Sequence, residues 1–174
     1  MTMIEKRATA GVTANGRKLT GYVAKFDNAT RIGGFTEIVR RGAFAASLTS
    51  GRDILAMADH DPNRVLGRTK SGTLTLAEDA DGLAFSLQMP DTQAGRDLVA
   101  LAERGDLGGC SFGFVVNAGG DAWNGDTREL RSVELQEISI VQAWPAYTDT
   151  EVHLRSIQPQ SQLALMRYWL DTVR

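Results

Sequence analysis

The sequence predicts a mainly antiparallel β-barrel with two or three helices on its outside. Three observations carry that expectation. Apolar residues recur with period two in short runs that give about nine strands. Turn signals of the hairpin kind separate many of these runs, and helical periodicity is confined to a few stretches. A chain built mostly from hairpins, with little helix to cover a flat sheet, hides its strand faces by curling the sheet on itself.

Met3 to Arg7 shows no strong period. Val12 to Leu19 carries Asn15-Gly16, the strongest short-range hairpin signal, and the second strand of that hairpin runs from Leu19 to Phe26 until Asp27-Asn28-Ala29-Thr30 breaks it. Phe35 to Val39 reads as another strand, and Gly42 to Leu48 as a brief helix stopped by Gly51. Ile54 to Ala58 is apolar on both faces, as a buried strand is, and ends in Asp59-His60-Asp61-Pro62. Gly72 to Leu76 and Leu83 to Leu87 alternate around Asp79-Ala80-Asp81-Gly82, a second hairpin. Leu98, Leu101 and Ala102 place an amphipathic helix over Thr92 to Arg104, capped by Asp91 or Thr92 and closed by Gly105. Gly108 to Val116 is the next strand, Ala118 to Thr127 a polar, glycine-rich excursion, and Arg131 to Val141 a long strand. Beyond a Gln/Ser/Pro passage at Gln158 to Gln162, Leu163, Met166, Trp169, Leu170 and Val173 form a helical stripe.

At 174 residues, 43% hydrophobic and 23% charged, the chain fits one ordinary globular domain with room for a core. A formal net charge of −2 with scattered Lys and Arg lacks the basic footprint that nucleic acid requires. One Cys allows no internal disulfide, and no apolar run is long enough to span a bilayer, so a reducing, cytoplasmic compartment is expected.

Gly108-Gly109-Cys110-Ser111-Phe112-Gly113-Phe114 is the stretch that suggests chemistry. Ser111 is the candidate nucleophile, and a hydroxyl is a weak one unless a base is brought to it and oriented. The string is no Gly-x-Ser-x-Gly elbow, and a Ser between glycines also suits a strand residue bonded to its neighbour. Strand alternation sends Cys110 to the face of Phe112 and Phe114, the better core face, so Cys110 reads as a packed small residue. The only histidines are His60 and His153. His60, between two aspartates at a strand end, is the candidate base, with a solvated turn residue as the plainer reading. Two His and one Cys in total are too few for a tight metal site at Asp59-His60-Asp61, and no cofactor is expected. Glu137 falls in the apolar row Val133, Leu135, Ser139, Val141, where a carboxylate could receive the imidazole proton or form an ion pair with one of the arginines. His153, Asp59 and Asp61 are alternatives for that third role.

Several blocks, taken together and in order, resemble the prohead protease family of tailed phages. They are Gly21 to Asp27, Phe35 to Val39 with Arg41 to Phe44, His60-Asp61-Pro62 with Leu66-Gly67-Arg68, Gly82-Leu83, Ser111 to Phe114, and Glu137 to Val141 with Pro145-Ala146. The resemblance implies a serine endopeptidase that works inside the assembling procapsid in the host cytoplasm, trims the scaffold portion of the major capsid protein, and then destroys or releases itself. It also implies a closed antiparallel barrel similar to herpesvirus assemblin, acting as a homodimer. Carried over residue by residue, Ser111 is the nucleophile, His60 the base and Glu137 the third member, with the oxyanion held near Trp144 to Tyr147. Residues 1–155 become the protease domain, and 156–174 a linker and amphipathic helix for packing, dimer or scaffold contact. A non-peptidase acyl hydrolase with the same dyad and an inactive assembly module are the rival readings.

Overall fold

The computed structural model describes residues 4–9 and 11–143. Among them, thirteen strands and two helices follow in order: β1 (Glu5–Thr9), β2 (Thr13–Asn15), β3 (Lys18–Lys25), β4 (Ala29–Ile32), β5 (Phe35–Val39), α1 (Ala45–Thr49), β6 (Leu55–Ala58), β7 (Asp61–Arg68), β8 (Leu74–Glu78), β9 (Gly82–Gln88), α2 (Gln93–Arg104), β10 (Gly109–Val115), β11 (Asp121–Asn124), β12 (Thr127–Leu130) and β13 (Glu134–Val141). Both helices form where the sequence places them. The Thr92 hydroxyl accepts the Gly95 N–H at the start of α2, and Gly105, at φ 75°, closes it in the left-handed conformation that a residue without Cβ adopts freely. The two expected hairpins are β2–β3 and β8–β9.

The expected closed antiparallel barrel of the herpesvirus-protease type does not form. Three open sheets take its place, ordered β1-β10-β13-β6-β7, β11-β12-β5-β4 and β2-β3-β9-β8. The physical reason lies in two parallel pairings, β13 with β6 and β12 with β5, which join segments far apart in the chain. Hairpin signals supply only antiparallel, local neighbours, whereas parallel strands need a long crossover that leaves no local mark. β13 therefore sits at the middle of the five-stranded sheet and bridges β10 to β6, while β1 and β7 remain as its edges.

Four further segments differ from the sequence reading. Met3 to Arg7, without period, contributes β1, which pairs with β10. The chain after His60 forms β7, whose Pro62 is tolerated because the strand lies at a sheet edge. The excursion from Ala118 contains β11, which turns through Gly125 at φ 57° into β12. The long strand expected over Arg131 to Val141 begins at Glu134, after β12 has ended at Leu130. The C-terminal stripe and His153 lie outside the described residues.

All seven residues of β10 are buried. Its core face carries Phe112 and Phe114, stacked at 5.2 Å, with Phe44 edge-on to Phe112 at 5.6 Å. Cys110, Ile138, Ile140, Ala56 and Ala58 complete the same core beneath the five-stranded sheet. The opposite face carries Ser111, Glu137 and Ser139.

A cluster of charges ties β1 to the β11-β12-β5-β4 sheet. Arg7 grips Glu37 through both carboxylate oxygens, and Arg128 reaches Glu5, Glu37 and Asp121. Glu37 is 3% exposed and is held by both arginines, so removing either leaves its buried charge only partly compensated, a defect of at most roughly 3–5 kcal/mol. Burial works to raise the Glu5 carboxyl, but its hydrogen bond to Arg128 and the charges of Arg128 and Arg7 outweigh that and hold it below the ordinary carboxylate range. Because the folded value is the lower one, Glu5 contributes stability above its ordinary value of 4.5 and loses that contribution as pH falls through the folded value. The urea midpoint is expected to fall on acidification below pH 4.5, and to fall less in Glu5→Gln. Equal slopes in the two chains would remove Glu5 from the account.

Candidate active site

The site begins with a two-residue turn. Ala58 pairs with Asp61 across the β6–β7 hairpin, leaving Asp59 and His60 as the loop, at φ 51° and 60°. Positive φ at both central positions is the requirement of a type I′ turn, whose twist matches that of the flanking strands. Asp tolerates that region well; His does so at some cost, and the surroundings must hold it there. The Asp59 N–H donates to the Ile140 carbonyl at 3.0 Å, and the His60 N–H to the Ser139 hydroxyl at 3.1 Å. The Asp59 carboxylate accepts from the Gln142 N–H at 2.9 Å, from the Gln142 side-chain amide and from Arg64. Two register shifts in the β6–β7 pair bend the hairpin just before this turn, as bulges do where a side chain must be aimed.

The imidazole carried by that turn lies over the middle of the sheet, 16% exposed. Its Nδ1 is 2.6 Å from Glu137 Oε1, and its Nε2 is 2.8 Å from Ser111 Oγ. A carboxylate can only accept, so Nδ1 carries the proton and Nε2 presents its lone pair to the Ser111 hydroxyl, which donates to it. That is the tautomer a general base needs.

The remaining placement follows from strand register. Ser111 pairs with Ser139, and Gly113 with Glu137, across β10 and β13. Glu137 lies over Gly113, and a Cβ at position 113 would run into Glu137 Oε1. Glycine at 113 therefore gives the carboxylate the space from which it reaches His60. The other Glu137 oxygen accepts from the Ser139 hydroxyl at 2.8 Å.

The structure thus brings together Ser111, His60 and Glu137. Asp59 is turned to Gln142 and Arg64, and Asp61 accepts from the backbone and side-chain amides of Asn63. Trp144 to Tyr147 lie outside the described residues, as His153 does. Cys110 is fully buried on the opposite face, where burial first and the Glu137 charge second push its thiol far up, so it stays protonated near neutral pH. Sequence reasoning missed Ser139 as a member of the site. Its position two residues after Glu137, on the same face of one strand, was the available signal.

A hydroxyl, an imidazole and a carboxylate joined in series through the two ring nitrogens form the constellation of a serine hydrolase. The chain belongs to the prohead serine protease family of the tailed phages: the family model for the Caudovirus prohead serine protease matches residues 2–163. The protein is accordingly a serine peptidase of phage head assembly. Among solved structures, the bacteriophage T4 capsid assembly protease superposes with a TM-score of 0.58 at 9% sequence identity, covering 81% of this chain and 97% of that one. At that identity the likeness is one of fold. No curated protein sequence matches the chain.

Proposed function

We propose that Ser111 is the nucleophile of this peptidase, His60 its general base and then acid, and Glu137 the carboxylate that orients and stabilises the imidazolium. The observation that carries the reading is the pair of hydrogen bonds on the His60 ring, 2.6 Å to Glu137 and 2.8 Å to Ser111. As Ser111 Oγ attacks a peptide carbonyl, Nε2 takes its proton. The same proton passes to the departing amine, the C–N bond breaks, and an acyl-enzyme remains. Water then adds through the same base, and the acid product leaves with Ser111 restored. The chemistry needs neither metal nor cofactor.

The substrate in this reading is the scaffold portion of the major capsid protein, cut inside the procapsid, followed by cleavage of the protease itself; the family membership supports it. Residues 1–155 would be the protease domain, and 156–174 the linker and helix through which it packs, dimerises or contacts scaffold. Co-expression with the cognate capsid protein tests the assignment by intact subunit mass. Trimmed subunits are expected with the wild-type chain and full-length subunits with Ser111→Ala. Trimming that persists with Ser111→Ala would overturn the reading.

A further inference from the structure

We infer that Ser139 is a positioning residue that holds the base and the carboxylate of the site in one alignment. The inference rests on the assignment of Ser111, His60 and Glu137 above. Ser139 is 0% exposed and stands directly across from Ser111 in the β10–β13 register. A serine hydroxyl has one hydrogen to give and lone pairs to receive with. The hydrogen goes to Glu137 Oε2 at 2.8 Å, and a lone pair receives the His60 backbone N–H at 3.1 Å. One oxygen atom therefore touches both partners of the imidazole's alignment: the carboxylate that faces Nδ1, and the backbone from which the ring is hung.

Each contact removes a specific freedom. Glu137 is anchored through Oε1 by His60 and through Oε2 by Ser139, with Gly113 beneath, so its carboxylate cannot rotate about its terminal bond without losing a charge-assisted hydrogen bond. His60 occupies a left-handed backbone at φ 60°, which persists only where neighbours over-determine it, and the bond from its own N–H to Ser139 is one such constraint. Without the hydroxyl, the carboxylate gains a rotation and the turn loses a tether. Both changes lengthen the reach between Nδ1 and Glu137. The Ser139 hydroxyl forms no hydrogen bond with the Ser111 hydroxyl, so it acts through its two neighbours.

The test uses a serine-directed fluorophosphonate on the full chain, with the labelled residue mapped by mass spectrometry. Ser139→Ala is expected to lower the labelling rate at Ser111 about 10- to 100-fold. Ser139→Thr, which keeps the hydroxyl, is expected to recover most of it. In a double-mutant cycle with Glu137→Ala, adding Ser139→Ala should cost clearly less than it does in the wild-type background, because one of the two groups it steadies is already gone. The downfield Nδ1–H proton resonance of His60 should move upfield in Ser139→Ala, which a loss of packing alone would not cause. If Ser139→Ala fails to fold, Ser139→Cys, a weak donor of similar size, reads the same loss in a folded chain. Wild-type labelling in Ser139→Ala and Ser139→Cys, or fully multiplicative effects with Glu137→Ala, overturns the inference. Labelling that survives in Ser111→Ala overturns instead the assignment on which it rests.

Discussion

Replacing His60 with alanine should lower hydrolysis of a peptide that the wild-type protein cuts by about 10⁴-fold or more, and adding Ser111→Ala should then cost almost nothing further. The expectation follows from the 2.8 Å contact between His60 Nε2 and Ser111 Oγ. A serine hydroxyl attacks only as its proton leaves, and among the described residues His60 is the one group hydrogen-bonded to it through a side chain. Parts of one proton-transfer unit do not contribute independently, so either single loss should equal the double loss, with the remaining rate set by binding and oxyanion contacts. Single-turnover rates for the two single variants and the double variant decide it. Multiplying effects would mean that the two residues serve separate functions.

Glu137→Gln should lower turnover by a comparable factor, on the order of 10⁴, with KM little changed. The amide has nearly the shape of the carboxylate, so the packing over Gly113 stays intact and the electrostatics do not. A neutral group no longer stabilises the imidazolium that forms as Ser111 attacks. Its N–H₂ can also face Nδ1 and drive the ring proton to Nε2, the nitrogen that must be free to accept. Steady-state kinetics, with near-UV circular dichroism to verify the fold, measure the loss. Turnover within tenfold of wild type would move the orienting role to another residue.

The residues of the site were legible in the sequence because strand alternation is a local property. Ser111 and Cys110 are neighbours, so one must face the core, and the aromatic companions of Cys110 decide which. Glu137 stood out as a carboxylate in an apolar row. What brings Ser111 and Glu137 to His60 was not legible. The type I′ turn rests on Asp59 and His60 in left-handed conformations, a geometry usually announced by Asn-Gly, and Asp-His-Asp-Pro reads simply as the end of a strand. Nor could β1 be read: Arg7 looks like an exposed charge until Glu37, from another sheet, is placed against it. The failed barrel has the same origin, because the parallel partners of β12 and β13 are fixed by tertiary packing, and hairpin counting sees only neighbours in sequence. Family likeness led to three residues that the structure brings together, and incorrectly to a closed sheet.

The central place of β13 bears on when the enzyme can act. Of the described strands it is the last to be synthesised, and it is the one that joins β10 to β6. A nascent polypeptide that has emerged from the ribosome only through Ser111 holds a hydroxyl and an imidazole with no scaffolding between them. If Ser111, His60 and Glu137 are the working groups, they can align only once β13 has taken its place between β10 and β6. On the proposed assignment, a chain still short of β13 has no means of cutting anything around it.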